Sequence, residues 1–387
     1  MSAISLLVLH LAVAPPVAAS TPTWPDAGRL AAGGRHTCVV MPDAGVQCWG
    51  DNRSGQLGDG SVEPRTGPTV VAGLTDITRL AAGTHHTCAL RRDRSVACWG
   101  STDMLAARKQ RFEPADVALR PVADLGPADA IFAGRTLTCA LVDGRPWCWG
   151  RTSRRELRKP TLVPGVRDVD AVAIGWDYLC TRSGGQVACA SPDPRTWERP
   201  ERPTPLADIS DAVDIAAGDR NLCILRAAGD ILCVGQNSYP DQDRRDFVWL
   251  RQVPVAGITD AVRLMPTGNG HACAVLRAGE VRCWGDAGDG QLGHGLAQPW
   301  RSPVAVPHLH APRAMAAGWG HTCAITAGHQ VVCWGRNEAG QAGHLEVTRD
   351  IPELHPDPRS NRDSIASQLR GLLQRRLAPQ QILDLGA

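Results

Sequence analysis

Short apolar runs alternate with turn signals along most of the chain, which is the pattern of many short β-strands. Runs rich in Val, Ile and Thr lie on either side of Gly, Asp and Pro, as around Pro42-Asp43-Ala44-Gly45 and around Val142-Asp143-Gly144. Such runs are typical of strands joined in hairpins. A further run, usually opened by proline, follows most hairpins, for example at 68–74. One hairpin and the run after it therefore predict one small antiparallel sheet.

Fourteen cysteines show that this unit is repeated seven times, with two cysteines nine or ten residues apart in each copy. The pairs are Cys38 and Cys48, Cys88 and Cys98, Cys139 and Cys148, Cys180 and Cys189, Cys223 and Cys233, Cys273 and Cys283, and Cys323 and Cys333. A fixed period of roughly 20–50 residues is typical of propellers and solenoids. One small sheet cannot bury its own faces, but seven sheets in a closed ring share a core. The pattern therefore predicts an all-β fold, a seven-bladed β-propeller.

The position of each cysteine pair predicts a disulfide within each repeat. If the first turn is centred near Asp43, Cys38 lies directly opposite Cys48 in the hairpin. Opposed residues have Cβ atoms about 4.5–5.5 Å apart, and a disulfide needs roughly 3.5–4.5 Å, so a small local twist closes the bond. The alternative is fourteen reduced thiols that are buried as small apolar groups. A zinc site is disfavoured because no Cys-x-x-Cys spacing occurs.

The repeated motifs His-Thr-Cys, Cys-Trp-Gly and Gly-Gln-Leu-Gly resemble those of the regulator-of-chromosome-condensation repeat family, in its bacterial, cysteine-containing branch. The resemblance covers roughly residues 28–345, and repeats one, two, six and seven match well. Repeats three to five depart from the pattern: Ala190 follows Cys189, Val234 follows Cys233, and neither repeat has the Gly-Gln-Leu-Gly loop. The resemblance implies a seven-bladed propeller.

The resemblance implies no single function, because one fold hosts many functions. The eukaryotic namesake is a nuclear guanine-nucleotide exchange factor that also contacts chromatin. Other relatives include secreted bacterial propellers that inhibit β-lactamases through loops on one face. No motif of this chain matches an exchange residue, so none is transferred to it.

The chain ends predict three segments. Residues 1–19 form an apolar run followed by small residues, as in a secretory signal peptide. Residues 20–357 hold the seven repeats, and 358–387 form a C-terminal segment in which apolar residues at helical spacing predict an amphipathic helix over 361–379. The region 345–355 is expected to supply the last strand, which would complete the blade that the N-terminal hairpin begins.

A signal peptide and paired cysteines support each other, because disulfides persist in oxidising compartments. The predicted location is therefore secreted or periplasmic. The first apolar run is too short and too broken by proline to span a membrane. The net charge of +2 gives no general attraction to nucleic acid, and no nucleic-acid partner is expected.

No catalytic residue, metal site or cofactor is predicted. Four histidines (His36, His86, His271 and His321) each precede the first cysteine of a repeat by two residues, so we interpret them as repeat features that contact neighbouring loops. The tryptophan that follows the second cysteine in five repeats is interpreted as packing between blades: Trp49, Trp99, Trp149, Trp284 and Trp334. Tryptophan outside the repeat pattern is of more interest, since tryptophan is enriched at binding hot spots; ordinary packing is the alternative. The candidate partner-binding residues are Trp176, Trp197, Trp249, Trp300, Trp319, Arg154 and Arg155.

These observations favour a non-catalytic scaffold that binds a protein or carbohydrate partner through loops on one face. Two alternatives stay open. One is a hydrolase or lyase that uses the central channel, which would need His and Asp or Glu side chains to converge there. The other is an intracellular exchange-factor or chromatin-type regulator, which would need reduced cysteines.

Overall fold

Seven four-stranded antiparallel sheets form a ring in the computed structural model. The structure describes residues 26–101, 118–152, 156–176, 178–190, 203–219, 221–235, 252–265, 268, 270–295, 300–343 and 375–386. Each sheet uses four strands that are consecutive in sequence, and their order in the sheet is their order in the chain. The predicted all-β, seven-bladed propeller is confirmed.

The twenty-eight strands are numbered in chain order, four to a blade. Blades one to three contain β1 Leu30–Ala32, β2 His36–Val40, β3 Val46–Gly50, β4 Arg65–Val70, β5 Ile77–Ala82, β6 His86–Arg91, β7 Val96–Gly100, β8 Arg120–Pro121, β9 Ala130–Ala133, β10 Leu137–Val142, β11 Arg145–Arg151 and β12 Glu156–Leu162. Blades four and five contain β13 Ala171–Ile174, β14 Leu179–Ser183, β15 Gln186–Ala190, β16 Thr204–Pro205, β17 Ala212–Ala217, β18 Asn221–Arg226, β19 Ile231–Gly235 and β20 Val253–Pro254. Blades six and seven contain β21 Ala261–Leu264, β22 His271–Leu276, β23 Glu280–Gly285, β24 Trp300–His310, β25 Ala314–Ala317, β26 His321–Ile325, β27 Gln330–Arg336 and β28 Arg375–Asp384.

A disulfide joins the two middle strands of every blade, as predicted. In each blade the two cysteines are direct partners in the register of those strands. Their Cα atoms are 4.0–4.1 Å apart, close to the spacing of a non-hydrogen-bonded antiparallel pair. All fourteen cysteines are used. In chain order, the bonds join Cys38 to Cys48, Cys88 to Cys98, Cys139 to Cys148, Cys180 to Cys189, Cys223 to Cys233, Cys273 to Cys283, and Cys323 to Cys333.

The core lies between neighbouring blades, and the tryptophan after the second cysteine packs there. Trp99 of the second blade is buried against Leu57 and Val71 of the first. Trp49 of the first blade is buried against Ala342 and other residues of the seventh. The sequence-based assignment of these repeated tryptophans to packing between blades is confirmed.

A hydrogen-bond relay joins blades through the repeated histidines. His36 Nε2 lies 2.9 Å from Thr87 Oγ1 of the next blade, and Thr87 Oγ1 donates to the carbonyl oxygen of Gln56 at 3.0 Å. The indole nitrogen of Trp99 donates to the same carbonyl at 2.9 Å. Because the threonine proton is used by this carbonyl, the Nε2–H of His36 is the donor to Thr87. His86, His271 and His321 make the same contact with Thr138, Thr322 and Thr37.

Burial keeps these histidines neutral. Desolvation, assisted by the charge of His321, lowers the pKa of His36 from 6.5 to about 3. Desolvation likewise lowers the pKa of His321 to about 3 and those of His86 and His271 to about 4. The four histidines are thus repeat features, as predicted, but each contacts a threonine on a strand of the neighbouring blade, so the predicted contact with neighbouring loops was wrong.

Among the described strands none is shared by the first and seventh blades, so the predicted closure was wrong. The first blade takes all four strands from residues 30–70, and the outer strand of the seventh blade is β28, which pairs with β27. The prediction missed the innermost strand of each blade, because Leu30–Ala32 is short and rich in alanine. Across the closing boundary, Thr37 Oγ1 and Trp49 Nε1 donate to the carbonyl of Gln341 at 2.9 and 3.0 Å.

Several terminal predictions fall outside the residues that the structure describes. These are the signal peptide at 1–19, the strand at 345–355 and the first part of the helix, 361–374. The remaining part of the predicted helix, 375–379, belongs to strand β28, so that part of the prediction was wrong. Helical spacing of leucines suggested a helix, whereas hydrogen bonding to the edge of β27 fixes an extended chain. Over the described part of the chain, no helix is long and apolar enough to cross a membrane.

Candidate binding site at the channel mouth

The loops between the first and second strands of the blades surround one mouth of the central channel. In the first blade the inner strand ends at Ala32, and the N–H of the next residue, Gly33, donates to the carbonyl of His36 at 2.9 Å. A Cβ on Gly33 would lie 2.2 Å from Cε1 of His36, so only glycine fits beneath the imidazole. The residue after this glycine lines the channel in five blades, at Gly34, Thr84, Arg135, Asp219 and Trp319. In six blades the residue at this position is described: Gly34, Thr84, Arg135, Trp176, Asp219 and Trp319.

Four of these residues form one cluster, here called the mouth cluster: Arg135, Trp176, Asp219 and Trp319. The Arg135 Cζ atom lies 4.0 Å from the ring centroid of Trp176 and 4.8 Å from that of Trp319. Its Nη1 atom lies 3.0 Å from Oδ2 of Asp219. A guanidinium within about 6 Å of an indole face is held by a cation–π attraction of roughly 0.5–2 kcal/mol.

The mouth cluster spans the channel. Arg135 belongs to the third blade and Trp319 to the seventh, with the first and second blades between them on the shorter way round the ring. The side chains of Arg135 and Asp219 are 13% and 15% exposed, so the ion pair is largely covered while the two indoles are half-buried. The cluster thus presents aromatic surface and a fixed cation at the centre of one face.

Two polar atoms beside the cluster have no hydrogen-bond partner among the described residues. They are Nε of Arg135 and Oγ1 of Thr84, and both are shielded from water. The two residues are adjacent, because the N–H of Thr84 donates to the carbonyl of Arg135 at 2.8 Å. An unpaired buried donor costs about 1–3 kcal/mol. The channel mouth therefore holds unused hydrogen-bonding capacity.

The channel behind the mouth cluster is a cavity of about 380 Å³ whose walls are mixed, with slightly more apolar than polar surface. Its lining includes Leu30, Leu80, Ile131, Val172, Leu264 and Met315. Its charged lining residues, in the part of the chain that the structure describes, are Arg79, Arg135, Asp214 and Asp219. The described residues contain no cluster of three or more His, Cys, Asp or Glu side chains that could hold a metal ion.

Asp214 lies on the inner strand of the fifth blade, on the channel wall. Its carboxylate accepts hydrogen bonds from the N–H groups of Ile215 and Leu264 at 2.9 and 3.4 Å. Burial raises the pKa of Asp214 to about 6, against the opposing effects of the positive charge of Arg182 and of these hydrogen bonds. A carboxyl of this kind is poised to gain a proton in mildly acidic solution.

Of the seven candidate binding residues, the structure brings Trp176 and Trp319 together around Arg135. Trp197, Trp249, Arg154 and Arg155 lie outside the described residues, and Trp300 begins strand β24, although its side chain is not described.

The loops that hold Trp176 and Trp319 lie on the face of the ring at which the third strand of a blade also ends. The first strand of a blade ends beside the start of the second, and the third strand ends there too, since Gly50 pairs with His36. Trp176 and Trp319 lie in loops between the first and second strands of their blades. These loops therefore begin and end on the face where the third strand leaves for the fourth.

Sequence reasoning missed Arg135, Asp219 and Thr84. The signal was available in the repeat alignment, since each follows the glycine that comes directly after the inner strand, as Trp176 and Trp319 do. Comparing that one position across the repeats would have grouped an arginine, an aspartate and two tryptophans. What the alignment does not supply is the contact across the ring between Arg135 and Trp319.

The fold and its repeated contacts define a disulfide-bonded, seven-bladed β-propeller built from one repeat type. The family model of the regulator of chromosome condensation (RCC1) repeat matches residues 43–90 and 278–325. A second model of that repeat matches residues 29–56 and 313–341. The chain therefore carries RCC1 repeats, as the sequence motifs indicated. No curated protein sequence matches this chain.

Solved structures of other proteins share this fold. The chain is similar to Prp20p from Saccharomyces cerevisiae, with a TM-score of 0.68 and 17% identity over 92% of this chain and 87% of that one. It is similar to yeast RCC1 (Prp20) in its complex with Kap60, with a TM-score of 0.69 and 16% identity over 98% and 91%. Human WBSCR16 gives a TM-score of 0.63 and 19% identity over 77% and 85%. Likeness at this identity shows a shared fold.

Proposed function

We propose that the protein is a non-catalytic scaffold of an oxidising compartment, secreted or periplasmic, which binds a protein or carbohydrate partner through the face that bears the mouth cluster. The observation that carries the proposal is the placement of Trp176 and Trp319 against Arg135 at the centre of that face. Tryptophan and arginine are the residue types most enriched at binding hot spots. The neighbouring Asp219 fixes the guanidinium, which reduces the entropy lost on binding.

The compartment is argued from the seven disulfides. Reducing compartments keep such thiols unpaired, and a disulfide in every blade of a large domain is typical of an exported protein. This argument disfavours the intracellular regulator. A partner of protein type agrees with the structurally similar Prp20p, which is described with its binding to Gsp1p and histones.

The channel-enzyme alternative gains no support from the described lining residues. Their carboxylates are Asp214 and Asp219, and none of them is a histidine. The repeated histidines are buried between blades and hydrogen-bonded to threonine, so they are not available for acid–base chemistry in the channel.

The test is partner capture with matched variants. Wild-type protein, Trp319→Ala and Arg92→Ala are immobilised and exposed to the culture supernatant and surface extract of the native host, and also to a glycan array. Arg92 is 75% exposed in the turn region between β6 and β7, on the opposite face. We expect one protein or glycan to bind the wild type and Arg92→Ala and to be lost by Trp319→Ala. A partner that Trp319→Ala keeps and Arg92→Ala loses would place recognition on the other face.

A further inference from the structure

The unpaired polar atoms at the mouth are hydrogen-bond donors on residues that line the channel. A guanidinium has five N–H donors, and Asp219 accepts from Nη1 of Arg135. Nε of Arg135 and the hydroxyl of Thr84 are left without an acceptor among the described residues. Thr84 is 3% exposed, and both residues line the channel.

The charges of the channel indicate which kind of acceptor would fit. Asp219 already neutralises Arg135, and the four charged lining residues (Arg79, Arg135, Asp214 and Asp219) sum to zero. A ligand carboxylate would add an uncompensated negative charge beside Asp219 in a partly dehydrated site, where like charges repel strongly. A neutral acceptor satisfies the same donors without this cost.

The size and the walls of the channel indicate the rest of the ligand. A volume of about 380 Å³ lies within the range of small-molecule sites, which are mostly apolar with a few placed polar groups. Leu80, Ile131 and Val172 contribute apolar wall. Because the mouth cluster covers one end, the apolar part of a ligand extends from the cluster toward the opposite mouth.

From this arrangement we infer that the channel binds a small, neutral, largely apolar molecule bearing one carbonyl acceptor, which receives hydrogen bonds from Arg135 Nε and Thr84 Oγ1. Both atoms are shielded from water. A ligand carbonyl therefore reaches them only after the Thr84 side chain rotates and the Arg135 side chain shifts. This site shares Arg135 with the partner-binding surface proposed above, but it does not rest on that function, because its ligand lies in the channel behind the mouth cluster.

The experiment compares three probes of similar shape by ligand-observed NMR titration of the full chain with its disulfides intact. Acetophenone carries the carbonyl, ethylbenzene lacks it, and benzoate replaces it with a carboxylate. We expect acetophenone to bind about threefold to tenfold more tightly than ethylbenzene, the ratio that one or two net hydrogen bonds supply. Benzoate should bind more weakly than acetophenone.

Thr84→Val is the decisive variant, because it removes a buried, unpaired hydroxyl while keeping the shape of the side chain. It should keep or raise the unfolding temperature, weaken acetophenone by about threefold and leave ethylbenzene unchanged. Thr161→Val, whose hydroxyl donates to the carbonyl of Lys159 on an outer strand, is the matched control and should leave all three affinities unchanged.

The inference is overturned by any of four results: no acetophenone binding up to its solubility, equal affinity for acetophenone and ethylbenzene, tighter binding of benzoate, or a Thr84→Val protein that binds acetophenone as the wild type does.

Discussion

The neutral histidines between the blades make the fold sensitive to mild acid. Their pKa values fall from 6.5 to about 3 for His36 and His321 and to about 4 for His86 and His271. A group whose pKa is lowered on folding contributes stability that is present above its unfolded pKa. That stability is lost as pH falls from 6.5 towards the folded values, because the unfolded chain then binds protons that the folded chain excludes.

The magnitude follows from linkage. Between about pH 7.5 and about pH 5, each histidine lowers the free energy of unfolding by roughly 2 kcal/mol, so the four together lower it by about 8 kcal/mol. Asp214 acts in the opposite direction, because burial raises its pKa to about 6 and the folded state therefore gains its proton at a higher pH than the unfolded chain does. This difference restores roughly 1 kcal/mol of the free energy of unfolding that the histidines remove. The net expectation is a loss of about 6–7 kcal/mol.

The assay is urea unfolding followed by tryptophan fluorescence over this pH range, with the disulfides intact. His86→Gln should reduce the pH-dependent loss by about 2 kcal/mol, since one buried imidazole is gone. Thr138→Val is the matched control: it removes the acceptor of His86 at 2.7 Å but keeps the imidazole buried, so the full pH dependence should remain. A wild-type stability that stays flat over this range, or a His86→Gln protein with the wild-type slope, would refute the reasoning.

Two other predictions concern the repeat itself. Protein purified from its native host without reductant should contain no free thiols, and mass spectrometry should find seven links within repeats; fourteen free thiols would return the intracellular regulator to consideration. Gly58→Ala should lower the free energy of unfolding by about 1–3 kcal/mol in urea titrations, because Gly58 has φ +67° and a Cβ would lie 2.8 Å from the indole of Trp99. Gly60→Ala is the control, because Gly60 also has positive φ but a Cβ there would have nothing within 4 Å. The larger loss of stability in Gly58→Ala then measures the clash with Trp99, and equal losses in the two variants would contradict it.

The features that could be predicted from the sequence are those that recur from repeat to repeat. The cysteine register, the tryptophans between blades and the structural role of His36 each appear in several copies at one spacing, so a single physical explanation covers them all. The inner strand escaped notice because Leu30–Ala32 is too short and too rich in alanine to show a strand pattern. Strand β28 was not predicted because it forms by pairing with the edge of β27, which lies far from it in sequence.

The mouth cluster could not be predicted for a different reason. Arg135, Trp176, Asp219 and Trp319 come from four blades, and each is a single departure from its own repeat. Only the closed ring brings Arg135 of the third blade against Trp319 of the seventh. Sequence reasoning selected the two tryptophans by residue type, but it had no access to the contact that makes them one site.

The closing boundary of the ring has a consequence for engineering. Among the described strands none is shared by the seventh blade and the first. The contacts of Thr37 and Trp49 with Gln341 there are the ones that Thr87 and Trp99 make with Gln56 one blade further on. The first blade thus meets the seventh and the second blade through the same set of hydrogen bonds. The connection at 71–76 is therefore a suitable place to insert a whole blade from a related protein. The first and second blades would offer the inserted blade the same hydrogen-bonding groups that they now offer each other.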